Sequence, residues 1–168
     1  TDTPSNQAHL VQIDGAGNRF RVARKAFTSP EVLDTERREI FDKCWLYLGH
    51  DSEVPDVGSF VARSVAGRHL LFNRDRGGTV HAFYNTCPHR GARVCMESRG
   101  KAKTFQCFYH GWVFGLDGAF RRQPNHDAYA EDFNSDGCAN LVSVPRFEEY
   151  RGFWFVNFDL NAMSLHDY

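Results

Sequence analysis

The chain has 168 residues, 42% apolar and 24% charged, with a formal net charge of −1; this suits one domain with a real core and an ordinary globular composition. Near-neutrality argues against nucleic acid or an anionic membrane as the main partner. No apolar run approaches the roughly 20 residues that cross a bilayer, and the polar start Thr1-Asp2-Thr3-Pro4-Ser5-Asn6-Gln7 lacks the zones of a signal peptide, so a cytoplasmic protein is expected.

Residues 1–28 read as an extended arm with one weak strand at Arg19–Val22. Ser29-Pro30-Glu31 is a helix start, combining a hydroxyl cap, proline in the first turn and an acid at the positive end of the dipole. Val32, Leu33, Ile40, Phe41 and Cys44 then mark an apolar stripe along a helix to about Lys43. From Trp45 the period changes to short β-type runs: Trp45–Gly49, Ser59–Val65, His69–Arg74, Thr79–Asn85, Thr104–Phe108, Trp112–Leu116, Leu141–Pro145 and Gly152–Phe158. Ala66-Gly67, Gly77-Gly78 and Asp117-Gly118 supply hairpin turns. The pattern predicts a mainly β protein, an antiparallel sandwich or barrel with one N-terminal helix. Gln123–Asn140 is polar and reads as a surface loop.

Two short motifs carry most of the chemistry: Cys87-Pro88-His89 and Cys107-Phe108-Tyr109-His110, with seventeen residues between His89 and Cys107. Each places a thiol and an imidazole close together where a strand ends, and Gly91 and Gly111 follow the histidines. This is the ligand pattern of a Rieske [2Fe–2S] cluster, with two cysteines on one iron and two histidines on the other. Two facing loops clamping the cluster are expected. A Cys2His2 zinc site is the competitor, because zinc takes both ligand types in a tetrahedron. Against zinc stand the mixed pairs and their β-turn setting, since zinc fingers normally draw a pair of histidines from a helix.

The surrounding residues strengthen the first reading. The chain resembles the N-terminal Rieske domain of the large (α) subunits of bacterial aromatic-ring-hydroxylating oxygenases, from roughly Glu36 to Asp159. The resemblance includes Cys44-Trp45, Gly49, Pro55-x-x-Gly58, Asn85-Thr86-Cys87-Pro88-His89-Arg90-Gly91, Cys107-Phe108-Tyr109-His110-Gly111-Trp112 and Gly152-Phe153-Trp154-Phe155-Val156-Asn157. It implies a Rieske-type antiparallel β-sandwich with an inserted cluster-binding sub-domain, and Cys87, His89, Cys107 and His110 as the cluster ligands. It divides the chain into an arm and helix (1–44), the Rieske domain (45–160, cluster loops about 85–114) and the start of a linker to an absent catalytic domain (161–168). In the family a mononuclear iron in that catalytic domain activates O2, so this stretch alone is not expected to hydroxylate anything. The resemblance also implies a ferredoxin or reductase as electron donor, neighbouring α subunits in a ring of three, and small β subunits in some members.

Charge counting explains the histidines. Two ferric ions, two sulfides and two thiolates sum to zero, so reduction gives −1, where a four-cysteine cluster would go from −2 to −3; the potential therefore lies above that of plant-type ferredoxins. High-potential respiratory Rieske proteins resemble a pattern with extra cysteines and hydroxyl donors, where this chain has Ala92, Tyr109, Trp112 and Phe114. A low-potential, oxygenase-type cluster is expected.

The remaining candidates read more plainly. Arg90, Arg93, Arg99, Lys101 and Lys103 crowd the cluster segment, either as a docking patch for an acidic donor or as solvated loop charges. Cys44, Cys95 and Cys138 are expected to be small buried thiols. Trp112 is expected to pack against the cluster loops. His9, His50, His69, His81, His126 and His166 lack metal spacing, and Asp127, Glu131 and Asp132 form an acidic loop. No nucleophile or phosphate-cradling motif is present. Two other functions stay open: a free-standing Rieske ferredoxin, which would usually be shorter, and a zinc-stabilised β module that binds a partner.

Overall fold

The structure is a computed structural model describing residues 10–168. It separates into two compact units, residues 1–42 and 43–168. The portion of the arm over residues 1–9, with His9, lies outside the described residues.

In the first unit, β1 (Val11–Asp14) pairs antiparallel with β2 (Arg19–Val22), followed by the short helices α1 (Lys25–Thr28) and α2 (Pro30–Glu36). The β2 strand was legible in the sequence; its partner β1 and the short α1 were not. The Ser29 hydroxyl accepts from Val32 N–H, as the helix-start signature predicts, and α2 continues as a single π-helical stretch over Arg37–Phe41.

The second unit holds ten strands: β3 (Leu46–His50), β4 (Ser59–Val65), β5 (Arg68–Arg74), β6 (Val80–Tyr84), β7 (Arg99–Lys101), β8 (Phe105–Gln106), β9 (Val113–Phe114), β10 (Phe120–Arg122), β11 (Arg146–Tyr150) and β12 (Phe153–Asn157). They form three antiparallel sheets, β11-β12-β3, β6-β5-β4-β7 and β10-β9-β8. The four-stranded sheet is the middle layer. Alternation along a strand sends successive side chains to opposite faces. Phe60, Leu71 and Phe83 therefore join Phe105, Cys107 and Phe114 in one core. Val61, Leu70, Phe72 and Ala82 join Leu48, Val144 and Val156 in the other. Burial on both faces explains why Leu70-Leu71-Phe72 reads as an unbroken apolar run.

The hairpin turns fall where the sequence places them. Ala66 and Gly67 both have positive φ (48° and 81°), the pairing a two-residue hairpin favours. Leu141–Pro145 is not a strand. It contributes one isolated bridge, Phe83 to Ser143, and the pairing strand is β11 just beyond it. Proline at 145 explains the shift, because it lacks the N–H that a ladder needs. The strands β7 and β10 are also additions to the predicted set. The stretch 123–140 is the expected loop, with a 3-10 turn over His126–Ala128. Phe133 nevertheless tucks against the first core.

Candidate metal centre

The two ligand motifs occupy loops of the same construction. In one, Cys87 N–H donates to Ala92 O at 2.7 Å and Gly91 N–H returns to Cys87 O at 2.9 Å. In the other, Cys107 N–H donates to Trp112 O at 2.8 Å and Gly111 N–H returns to Cys107 O at 3.0 Å. Gly91 and Gly111 have φ of 72° and 70°, a conformation that strains residues with a Cβ. The loops spring from different layers. The first leaves β6 in the middle sheet, and the second is the tip of the β8–β9 hairpin.

This brings all four predicted ligands together. Cys87 and Cys107 are each 2% exposed, while His89 and His110 are half-buried. The His89 and His110 rings lie 4.7 Å apart at 69°. Trp112, from the second loop, stacks flat on His89 of the first, at 4.7 Å and 7°, and meets Phe120 and Phe133 edge-on. Trp112 thus bolts one loop to the other, as expected of a packing residue. Phe108 and Tyr109 project outward, 68% and 54% exposed.

The donor chemistry can be tested against a two-iron cluster. Burial pushes the Cys87 thiol up, and the adjacent Cys107 pushes it the same way. A thiol so placed resists ionising, which is the setting a cationic centre relieves. Burial, then the neighbouring His110 and Arg90, lowers His89, keeping its ring neutral and fit to donate a lone pair. His110 Nδ1 is buried and meets no hydrogen-bond partner. A nitrogen so placed requires a partner of some kind. The two thiols are neighbours and the two imidazoles are neighbours, and a two-iron cluster asks for two donors at each iron. The residues fit the two-iron group.

The other candidates disperse. Arg93 lies 2.8 Å from His69 Nε2, and Lys101 pairs with Asp56 at 3.2 Å. Arg99 and Lys101 sit on β7 of the middle sheet, and Lys103 lines a 390 Å³ cleft with Arg76, Asp117 and Arg121. Arg90 stands on the first ligand loop beside His89, whereas Arg99, Lys101 and Lys103 lie on or beyond β7, so the five are spread along the segment rather than gathered at the loops. His50 contacts Ser52, and His81 contacts Asp75. All five cysteines are free of disulfides; Cys95 is buried as expected, but Cys138 is exposed because it sits in the polar loop. The Asn85 side chain, 3% exposed and bonded to Val94 and Cys95, is the site residue whose role the sequence did not reveal.

Fold and loops together define a β domain built to hold an iron–sulfur cluster by mixed sulfur and nitrogen ligands. The chain belongs to the Rieske [2Fe–2S] domain family, which matches residues 44–147. It is 32% identical over 163 residues to the 2-halobenzoate 1,2-dioxygenase large subunit of Burkholderia cepacia, covering 96% of this chain and 35% of that protein. It is 38% identical over 149 residues to the carnitine monooxygenase oxygenase subunit of Escherichia coli K12, covering 88% and 39%. Naphthalene 1,2-dioxygenase with indole in its active site superposes at a TM-score of 0.79 and 35% identity, over 87% of this chain and 33% of that one. The chain thus spans little more than a third of the curated relatives it matches. These relatives are oxygenase subunits, which favours an oxygenase domain over a free-standing ferredoxin. Among the described residues no helix is long and apolar enough to cross a membrane.

Proposed function

We propose that this chain is the electron-transfer domain of the large (α) subunit of an aromatic-ring-hydroxylating oxygenase. Cys87 and Cys107 would hold one iron, and His89 and His110 the other. When bound, the cluster supplies one-electron transfer at a potential above that of plant-type ferredoxins. A ferredoxin or reductase would deliver electrons to this domain. They would leave for a mononuclear iron in the catalytic domain of a neighbouring α subunit, within a ring of three and with or without small β subunits.

The observation that carries this reading is the pair of matched loops, which bury both thiols and leave both imidazoles half-exposed. The cysteine side faces the core of Phe60, Phe83 and Phe114 and excludes water. The histidine side is the edge through which an electron can leave the domain. Trp112 holds the His89 ring against rotation, and Phe108 and Tyr109 offer the apolar contact a neighbouring subunit would cover.

The test has two parts. The anaerobically purified chain should show a mixed-ligand visible and EPR spectrum that H89A and H110A each abolish; retention in either variant refutes the ligand assignment. The complete subunit, supplied with a ferredoxin and reductase, should consume O2 with an aromatic acid. Turnover of a quaternary ammonium compound in its place would move the substrate class toward that of the carnitine monooxygenase relative.

A further inference from the structure

The two ligand loops share their inner hydrogen bonds but not their outer support. Beyond the second loop the ladder continues: Gln106 pairs with Val113 and Phe105 with Phe114. The corresponding partners of the first loop are Asn85, two residues before Cys87, and Val94, two after Ala92. No ladder joins them. The Asn85 N–H is already committed to His69 O on β5 at 2.8 Å.

The Asn85 side chain fills that gap. Its Oδ1 accepts from Val94 N–H at 3.1 Å and from Cys95 N–H at 2.8 Å, and its Nδ2 donates to Cys95 O at 2.8 Å. Asn85, Val94 and Cys95 are 3%, 4% and 7% exposed. Water therefore cannot replace these contacts cheaply, and each buried N–H needs an acceptor. A carboxamide accepts two N–H groups at one atom and donates to a carbonyl from another, whereas a carboxylate has no donor and a hydroxyl must accept and donate at a single oxygen.

We infer that Asn85 is the positioning residue of the first ligand loop, its carboxamide replacing the strand ladder that the second loop has and so fixing where Cys87 and His89 stand. This rests on the proposed ligand assignment only for its effect on the cluster. The closing of the loop depends on the hydrogen bonds alone. Without the clip, the loop's downstream limb at Val94 and Cys95 is released, leaving the Cys87–Ala92 and Gly91–Cys87 bonds, the Trp112 stack on His89 and the Arg93–His69 contact, and the ligands sample a wider spread of positions.

The experiment is N85A in the cluster-loaded chain, read by hydrogen exchange over residues 92–96, by the reduced EPR line shape and by midpoint potential. Exchange there should accelerate by about tenfold or more. EPR lines should broaden and the potential should move, while the far-UV circular dichroism and exchange over β8 and β9 stay as in the wild type. Wild-type exchange, line shape and potential in N85A would overturn the inference. Should N85A not accumulate, N85D carries the test: it keeps the two acceptor contacts, loses the donor to Cys95 O, and should show exchange over 92–96 faster than wild type. Wild-type protection in N85D would likewise overturn it. A wild-type chain without a cluster spectrum would defeat the functional reading instead, while the exchange comparison still decides the role of Asn85.

Discussion

Trp112 and Phe108 stand four residues apart in one motif, yet the structure gives them opposite weights. Trp112 is 6% exposed and contacts three rings, namely His89, Phe120 and Phe133, at centroid distances of 4.7, 5.1 and 5.8 Å. Truncating a buried Trp to Ala costs about 3–5 kcal/mol. Ring contacts contribute about 0.5–1.5 kcal/mol each beyond area burial, which places W112A in the upper part of that range. Phe108 is 68% exposed, so F108A should lie within about 0.5 kcal/mol of wild type. For a domain of this size, W112A should lower Tm by about 10 °C or more and F108A by less than about 3 °C. The assay is thermal unfolding of the cluster-loaded proteins followed by circular dichroism at one scan rate. Equal midpoints for the two variants would refute the claim that Trp112 joins the loops.

Three further outcomes follow from other parts of the second unit. Burial alone would raise the Glu53 carboxyl, but Arg63, the His50 N–H and the Tyr47 hydroxyl hold it below its ordinary value of 4.5. Its stabilisation is therefore present above the unfolded pKa and lost as pH falls through the folded one. E53Q should be about 1–3 kcal/mol less stable at pH 7 and should flatten the decline of Tm below about pH 4.5; an unchanged acid slope would contradict this. Gly58 has φ of +83°, and a Cβ there would lie 2.2 Å from Ala102 O, so G58A should cost at least about 2 kcal/mol in urea unfolding. A cost under about 0.5 kcal/mol would show that the β4–β7 margin yields freely. The Asp136 carboxylate raises the Cys138 thiol, but that thiol is exposed, whereas Cys95 is buried and burial pushes it up to about 11. Iodoacetamide at pH 8 should label Cys138 in the native protein and reach Cys95 only after unfolding, as mass spectrometry of the digested chain would report.

Much of the site was legible because its chemistry is local. A thiol, an imidazole and a positive-φ glycine within five residues are all contained in each motif, and flanking β-type runs place the motifs at strand ends. What could not be read depends on long-range pairing. Arg99-Gly100-Lys101 has little β propensity and becomes a strand because the edge of β4 accepts it over Ser59–Val61. Arg146–Tyr150 is charged along its length and is a strand because β12 pairs with all five residues. The basic residues from 90 to 103 are close in sequence but spread in space, because the segment that carries them crosses from β6 at one edge of the middle sheet to β7 at the other. Asn85 looks like any turn asparagine until the fold buries it opposite two N–H groups that no strand serves.

The central claim is a cluster of two irons and two sulfides with unlike ligands at its two ends. Iron and acid-labile sulfide analysis of the anaerobically purified chain, combined with EPR and nitrogen hyperfine spectroscopy of the reduced form, tests it most directly. Two irons and two sulfides per chain are expected, with a rhombic signal coupled to two histidine nitrogens. One zinc ion per chain with no labile sulfide, or a reduced signal without nitrogen coupling, would contradict it.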